Sequence, residues 1–78
     1  MTEVTDRLLQ IWTEVLGTEV GLHDSFLDLG GDSLAAMSCI VRMREAFGAD
    51  FAVDDFFTAE STIATFATRI PQPVSQRT

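Results

Sequence analysis

The stretch Phe26-Leu27-Asp28-Leu29-Gly30-Gly31-Asp32-Ser33-Leu34 decides the reading of this chain: apolar anchors lead into two glycines, and these lead into two residues able to cap a helix. If Asp32 takes the N-cap, its carboxylate accepts from first-turn backbone N–H groups, and Ser33 falls at the first helical position with its hydroxyl facing solvent. Gly30 and Gly31 have no Cβ, so they permit positive φ and let the backbone of another protein approach the serine closely. An anion attached to Ser33 would sit at the positive end of the following helix. A helix start with no further role prefers the same residue types, so the spacing alone leaves a purely structural cap open.

Helix formers continue from Ser33 to Phe47, where Gly48 is a suitable left-handed cap and Arg42 and Arg44 lie near the end that favours cations. Upstream, Val4, Leu8, Ile11, Trp12 and Val15 recur at spacings of three and four, predicting an amphipathic helix over Val4 to Leu16 that Gly17 ends. The connection from Gly17 to Asp32 is long for a compact domain, so it is expected to be functional or to be anchored by Val20, Leu22, Phe26, Leu27 and Leu29. Asp54 to Thr58 can form one or two short helical turns packing Phe56 or Phe57, and Ser61 is the expected N-cap of a last helix carrying Ile63, Phe66 and Ile70. Pro71 and Pro73 then end regular structure, which divides the chain into a domain over residues 1–70 and a flexible tail or linker over 71–78. No segment alternates with period two, so the expected fold is all-α: four helices, with a long loop between the first and second and a short third.

The helix from Ser33 has two apolar stripes. Ala36, Ile40, Met43 and Phe47 line one and are expected to pack on Leu8, Trp12, Phe66 and Ile70. Leu34, Met37 and Val41 fall roughly a third of a turn away, where a bundle core need not reach them. The expectation is that Met37 and Val41 stay exposed for partner proteins, while Leu34 is either exposed or packed under the loop through Phe26 or Leu29.

Composition narrows the function. With 78 residues the chain makes one domain, and no apolar run approaches the length of a membrane span. The N-terminus lacks the order of a signal peptide, which points to a cytoplasmic protein. Its formal net charge of -7 repels nucleic-acid phosphates. The single Cys39 has no disulfide partner and no zinc-ligand companions, and is expected to be a small buried hydrophobe. Gly31-Asp32-Ser33-Leu34 also matches the nucleophile motif of a hydrolase family, but the lone His23 lies in a loop and the chain is too short for the sheet that would hold a triad. Asp24, Asp28 and Asp32 neither alternate at every second residue nor end in Glu, unlike an EF-hand calcium loop.

Taken with the helix that follows it, FLDLGGDSL then AAMSCIVRMREAFG, this stretch resembles the core motif and second helix of the peptidyl carrier proteins, the thiolation domains of nonribosomal peptide synthetases. The resemblance extends over roughly residues 4 to 70, through Trp12 and the AVDDFF and STIATFATRI segments. It implies the four-helix bundle of the acyl carrier type, with no catalytic residue of its own. It further implies that Ser33 receives a covalent 4'-phosphopantetheine arm from coenzyme A, through a magnesium-dependent phosphopantetheinyl transferase. The arm's thiol would carry aminoacyl, peptidyl or other acyl groups as thioesters between an adenylation enzyme and condensation, tailoring or thioesterase enzymes. Partner contacts are expected at Asp32, Leu34, Met37 and Val41, on a monomer that binds neither nucleic acid nor membrane. Many peptidyl carriers have His before the serine, whereas Asp32 is shared with aryl carriers and with the acyl carriers of fatty-acid and polyketide synthesis. Arg42 and Arg44 beside a single Glu45 argue against the acid-rich second helix of a fatty-acid carrier, leaving the peptidyl class ahead of an aryl or acyl carrier. A start at Met1 suits a free-standing carrier, although a module excised from a synthetase would look the same. The reading from another class is an unmodified helical interaction module.

Overall fold

The structure, a computed structural model, describes residues 3–70. Among them the elements run α1 (Glu3–Leu16), α2 (Ser33–Phe47), a 3-10 turn η1 (Val53–Phe56) and α3 (Ile63–Arg69), with no strand longer than an isolated bridge between Ser25 and Thr62. The all-α class is as expected, and the short third segment, expected over Asp54 to Thr58, is a single 3-10 turn of 4 residues at Val53–Phe56. Its start is fixed by Asp55, whose carboxylate accepts from the Ala52 N–H at 2.9 Å. Residues 71–78, expected as a tail, lie outside the described residues.

Both long helices stop where glycine supplies positive φ, at Gly17 (69°) and Gly48 (69°), and the Gly48 N–H closes α2 onto the Arg44 carbonyl. The helices run antiparallel. Glu3 and Val4 share a groove with Ala46 and Phe47 at one end, and Val15 and Leu16 meet Asp32 and Ala35 at the other. One exposed ion pair joins the two helices, Arg42 to Glu14 at 2.7 Å, and pairs of this kind contribute little stability.

The core is one cluster. Ala36, Cys39, Ile40 and Met43 of α2 meet Val4, Leu8, Ile11 and Trp12 of α1, together with Phe26, Phe56, Ile63, Phe66 and Ile70. Phe47, expected on the same stripe, is only half-buried because it sits at the rim where α2 ends. Aromatic rings occupy the centre. Trp12 meets Phe26 edge-on with centroids 5.1 Å apart and Phe66 at 5.6 Å, and Phe56 lies within 5.0 Å of Phe26. Such offset and edge-on pairs add about 0.5–1.5 kcal/mol each beyond the area they bury.

The last helix begins differently from its expectation. Thr62, and not Ser61, is the N-cap, its hydroxyl accepting from the Thr65 N–H at 3.1 Å. Ser61 is instead buried, its hydroxyl donating to the Thr58 carbonyl at 2.9 Å and lying 3.3 Å from the Phe26 N–H of the long loop.

Candidate functional site

The long loop delivers Ser33. It is pinned twice to the start of α3: the Phe26 N–H donates to the Ser61 carbonyl at 2.8 Å, and the Ala64 N–H donates to the Leu22 carbonyl at 3.0 Å. From Ser25 the chain coils tightly, with Leu29 N–H donating to Ser25 O (3.1 Å), Gly30 N–H to Leu27 O (3.0 Å) and Gly31 N–H to Phe26 O (3.0 Å). The two glycines serve different ends. Gly30 has φ of +83° with open space around it, so it supplies the turn. Gly31 does not have positive φ; a Cβ there would run into the buried Phe26 ring, so its hydrogen makes room for the core. The expectation of positive φ holds at Gly30 and is corrected at Gly31.

Asp32 is the N-cap of α2, as expected, accepting from the Ala35 N–H at 2.9 Å through its carboxylate and from the Ala36 N–H at 2.9 Å through its carbonyl. Ser33 is therefore the first helical residue. Its side chain is exposed, and its hydroxyl has no hydrogen-bond partner among the described residues. The Ser33 and Leu34 N–H groups, at the start of a 15-residue helix, have no acceptor within it and point out of its positive end. A phosphodiester on Ser33 would fit this setting: the hydroxyl is free, nothing covers it, and backbone donors lie beside it.

The outer face of α2 continues from that point. Leu34 is 77% exposed, Met37 55% and Val41 49%, and Leu27 of the loop is 48% exposed. Leu34 therefore does not pack under the loop; Phe26 and Leu29 turn inward without it. Leu34, Met37 and Val41 line a shallow groove with Ser38, Arg42 and Glu45. The deeper groove of Val4, Ala46 and Phe47 lies at the opposite end of α2 from Ser33.

Among the described residues no cluster of three or more His, Cys, Asp or Glu side chains comes together to hold a metal, and no helix is long and apolar enough to cross a membrane. Cys39 faces the core, and burial pushes its thiol up to about 12, against a smaller opposing pull from Arg42. It is a packing residue, and not a thiolate nucleophile.

The sequence pattern of the phosphopantetheine attachment site family matches residues 6–70. The chain belongs to this family. Its group is a covalently held 4'-phosphopantetheine, which agrees with an uncovered serine at a helix start. The chain is 43% identical over 58 residues, 73% of its length, to part of surfactin synthase subunit 3 of Bacillus subtilis (strain 168). It is 39% identical over 66 residues, 83% of its length, to part of tyrocidine synthase 3 of Brevibacillus parabrevis. It spans only 4% and 1% of those relatives. Among solved structures, the McyG A-PCP complexed with phenylalanyl-adenylate superposes on 91% of the carrier domain with a TM-score of 0.79 and 29% identity, through 11% of that chain. The carrier domain is thus of the kind found in nonribosomal peptide synthetases.

Sequence reasoning missed Ser61 and the true role of Gly31. Ser61 carried only the signal of a small polar residue before an apolar run, which equally describes a cap.

Proposed function

We propose that Ser33 is the phosphopantetheine attachment residue and that the domain is a peptidyl or aminoacyl carrier. The observation that carries this reading is the free, exposed Ser33 hydroxyl at the start of α2, inside the segment matched by the attachment-site family. A phosphopantetheinyl transferase takes coenzyme A and magnesium; the Ser33 oxygen forms a bond to phosphorus, the nucleotide half of coenzyme A leaves, and the hydroxyl proton passes to a base of the transferase. The domain is the substrate of that enzyme. The residues around the serine keep it accessible: Asp32 ends the loop cleanly, and Leu34, Met37 and Val41 offer partners an apolar surface beside it.

Loading by an adenylation enzyme is supported by the likeness to the A-PCP structure and by the sparse acidity of α2, with Arg42 paired to Glu14, Arg44 paired to Asp50, and Glu45 its only acidic residue. Condensation, tailoring and thioesterase enzymes follow in the same cytoplasmic assembly, with residues 1–70 as the carrier and 71–78 as the connection beyond it. The aryl-carrier reading shares every feature except the cargo, which the adenylation enzyme selects.

The test is intact-protein mass spectrometry after incubation with coenzyme A, magnesium and a broad-range transferase. One phosphopantetheine is added to the wild type and none to Ser33→Ala; no addition to well-folded wild type refutes the reading.

A further inference from the structure

We propose that Ser61 is a positioning residue for Ser33, holding from the start of α3 the loop that presents the attachment serine; this rests on Ser33 being the attachment residue. Ser61 is the only buried polar side chain among the described residues, and it lies 28 positions from the serine it serves. Its hydroxyl donates to the Thr58 carbonyl at 2.9 Å and lies 3.3 Å from the Phe26 N–H, which it shares with Ser61's own carbonyl. A buried hydroxyl in apolar surroundings costs stability unless its bonds are made, and here both its donor and its acceptor capacity are engaged.

From Ser61 the chain of contacts reaches Ser33 without a gap. The Phe26 N–H donates to the Ser61 carbonyl at 2.8 Å, with the Ser61 hydroxyl as a second, longer acceptor at 3.3 Å, and the Phe26 carbonyl accepts from the Gly31 N–H at the end of the loop, at 3.0 Å. The Phe26 ring fills the space that Gly31 leaves open. Gly31 then leads directly to Asp32, whose carboxylate and carbonyl fix the first turn of α2. The hydroxyl's bond to the Thr58 carbonyl and its share of the Phe26 N–H hold Ser61 where its own carbonyl takes that N–H, so the backbone at 26–32 loses a constraint without the hydroxyl. The hydroxyl touches no reacting atom and acts only through Phe26 and the glycine.

The experiment compares Ser61→Ala with Val4→Ala, a truncation of a buried side chain at the far end of α1 that destabilises the same core without touching the loop. Amide hydrogen exchange on the unmodified protein is read first. Losing a bond of this kind should accelerate exchange at Phe26 and Gly31 by about three- to tenfold in Ser61→Ala, beyond any change at α1 amides. In Val4→Ala those two amides should move only with the rest of the domain. Transferase kinetics are read second: Ser61→Ala should raise KM several-fold with a smaller change in kcat, and Val4→Ala should not. Equal exchange at Phe26 and Gly31 in wild type and Ser61→Ala, or equal KM rises in both variants, overturns the proposal. Absence of modification in wild type refutes the role of Ser33 and, with it, the positioning role, while the exchange data still report whether Ser61 holds the loop.

Discussion

Ile40 and Met37 lie three residues apart on α2 and should answer the same truncation in opposite ways. Ile40 is 8% exposed and packs into the cluster of Trp12, Met43 and Phe66, whereas Met37 is 55% exposed on the outer face. Truncating a buried Ile to Ala removes its burial and leaves a cavity, typically costing about 2–5 kcal/mol. Ile40 touches the edge of the core, and Ala is the better helix former by a few tenths of a kcal/mol, so the lower half of that range, about 2–3 kcal/mol, is expected. For a domain of this size each kcal/mol shifts Tm by about 4–8 °C, giving a loss on the order of 10–20 °C for Ile40→Ala. Burying a Met fully is worth about 1.5–3 kcal/mol; with more than half of Met37 already in water, Met37→Ala should cost about 1 kcal/mol or less. Val41→Ala belongs with Met37, since Val41 is 49% exposed. Thermal melts by circular dichroism measure the first half, and rates of adenylation-enzyme loading on the holo forms measure the second. Met37→Ala and Val41→Ala should melt near wild type but load more slowly. Equal destabilisation at Met37 and Ile40 would show the two faces to be wrongly assigned.

The two glycines should separate as well. Gly30→Ala forces a Cβ into φ of +83° with open space around it, costing about 1–2 kcal/mol, while Gly31→Ala drives a methyl into the Phe26 ring and should cost more, measured by urea titration. Asp32→Ala removes the side-chain cap of α2 and should lower stability by about 0.5–2 kcal/mol in the same titration. Cys39 gives a pH signature. Its folded pKa, about 12, lies above its ordinary value of 9.0, so its contribution is intact below pH 9 and is lost as pH rises towards 12. Unfolding free energy should fall through that window by up to about 1.4 kcal/mol per pH unit, and Cys39→Ala should lack this component. Native Cys39 should also resist a thiol-directed reagent that labels it in denaturant.

The parts of this fold legible in the sequence are those written in local spacing. The α1 stripe, the Ser33 to Phe47 span of α2, the Gly48 cap and the Asp32 N-cap each follow from residues within about one turn of each other, and the structure has them where the spacing puts them. Ser61 and Gly31 were illegible for the same reason in reverse. Ser61 is buried where it meets the backbone of Phe26, 35 residues away, and Gly31 is small because that same Phe26 folds back over it. Neither demand leaves a trace in neighbouring residues. The third helix was read at Asp54 to Thr58, overlapping the observed Val53–Phe56, and its 3-10 form goes with two adjacent rings, Phe56 and Phe57, turning towards Phe26 in a span too short for an α-turn to repeat. Periodicity separated the second stripe of α2 from the first, yet could not say whether the loop would cover Leu34.

That uncovered stripe has a physical explanation once the core is known. The long loop commits Phe26 to Trp12 and Phe56, brings Leu22 to α3 through a backbone bond and packs Val20 and Leu29 against the core, so no large aliphatic or aromatic loop residue remains to lie over Leu34 except Leu27, which is itself turned outward. Leaving such a patch exposed is tolerable in a chain of net charge -7, because like charge keeps separate copies apart. As the docking face proposed above, this stripe of three exposed side chains is suited to weak binding, and a carrier has no use for tight binding: a thioester on a tethered arm reaches a docked enzyme at high effective concentration even when the docking is weak. Weak docking also lets each enzyme release the domain to the next. Substitutions that enlarge the apolar stripe, such as Ser38→Leu between Leu34 and Val41, should therefore tighten binding to a single partner while slowing transfer through a sequence of them. Binding measured by titration and turnover measured on a two-enzyme relay would separate the two effects; faster relay turnover with tighter binding would mean that release from the α2 face does not limit the cycle.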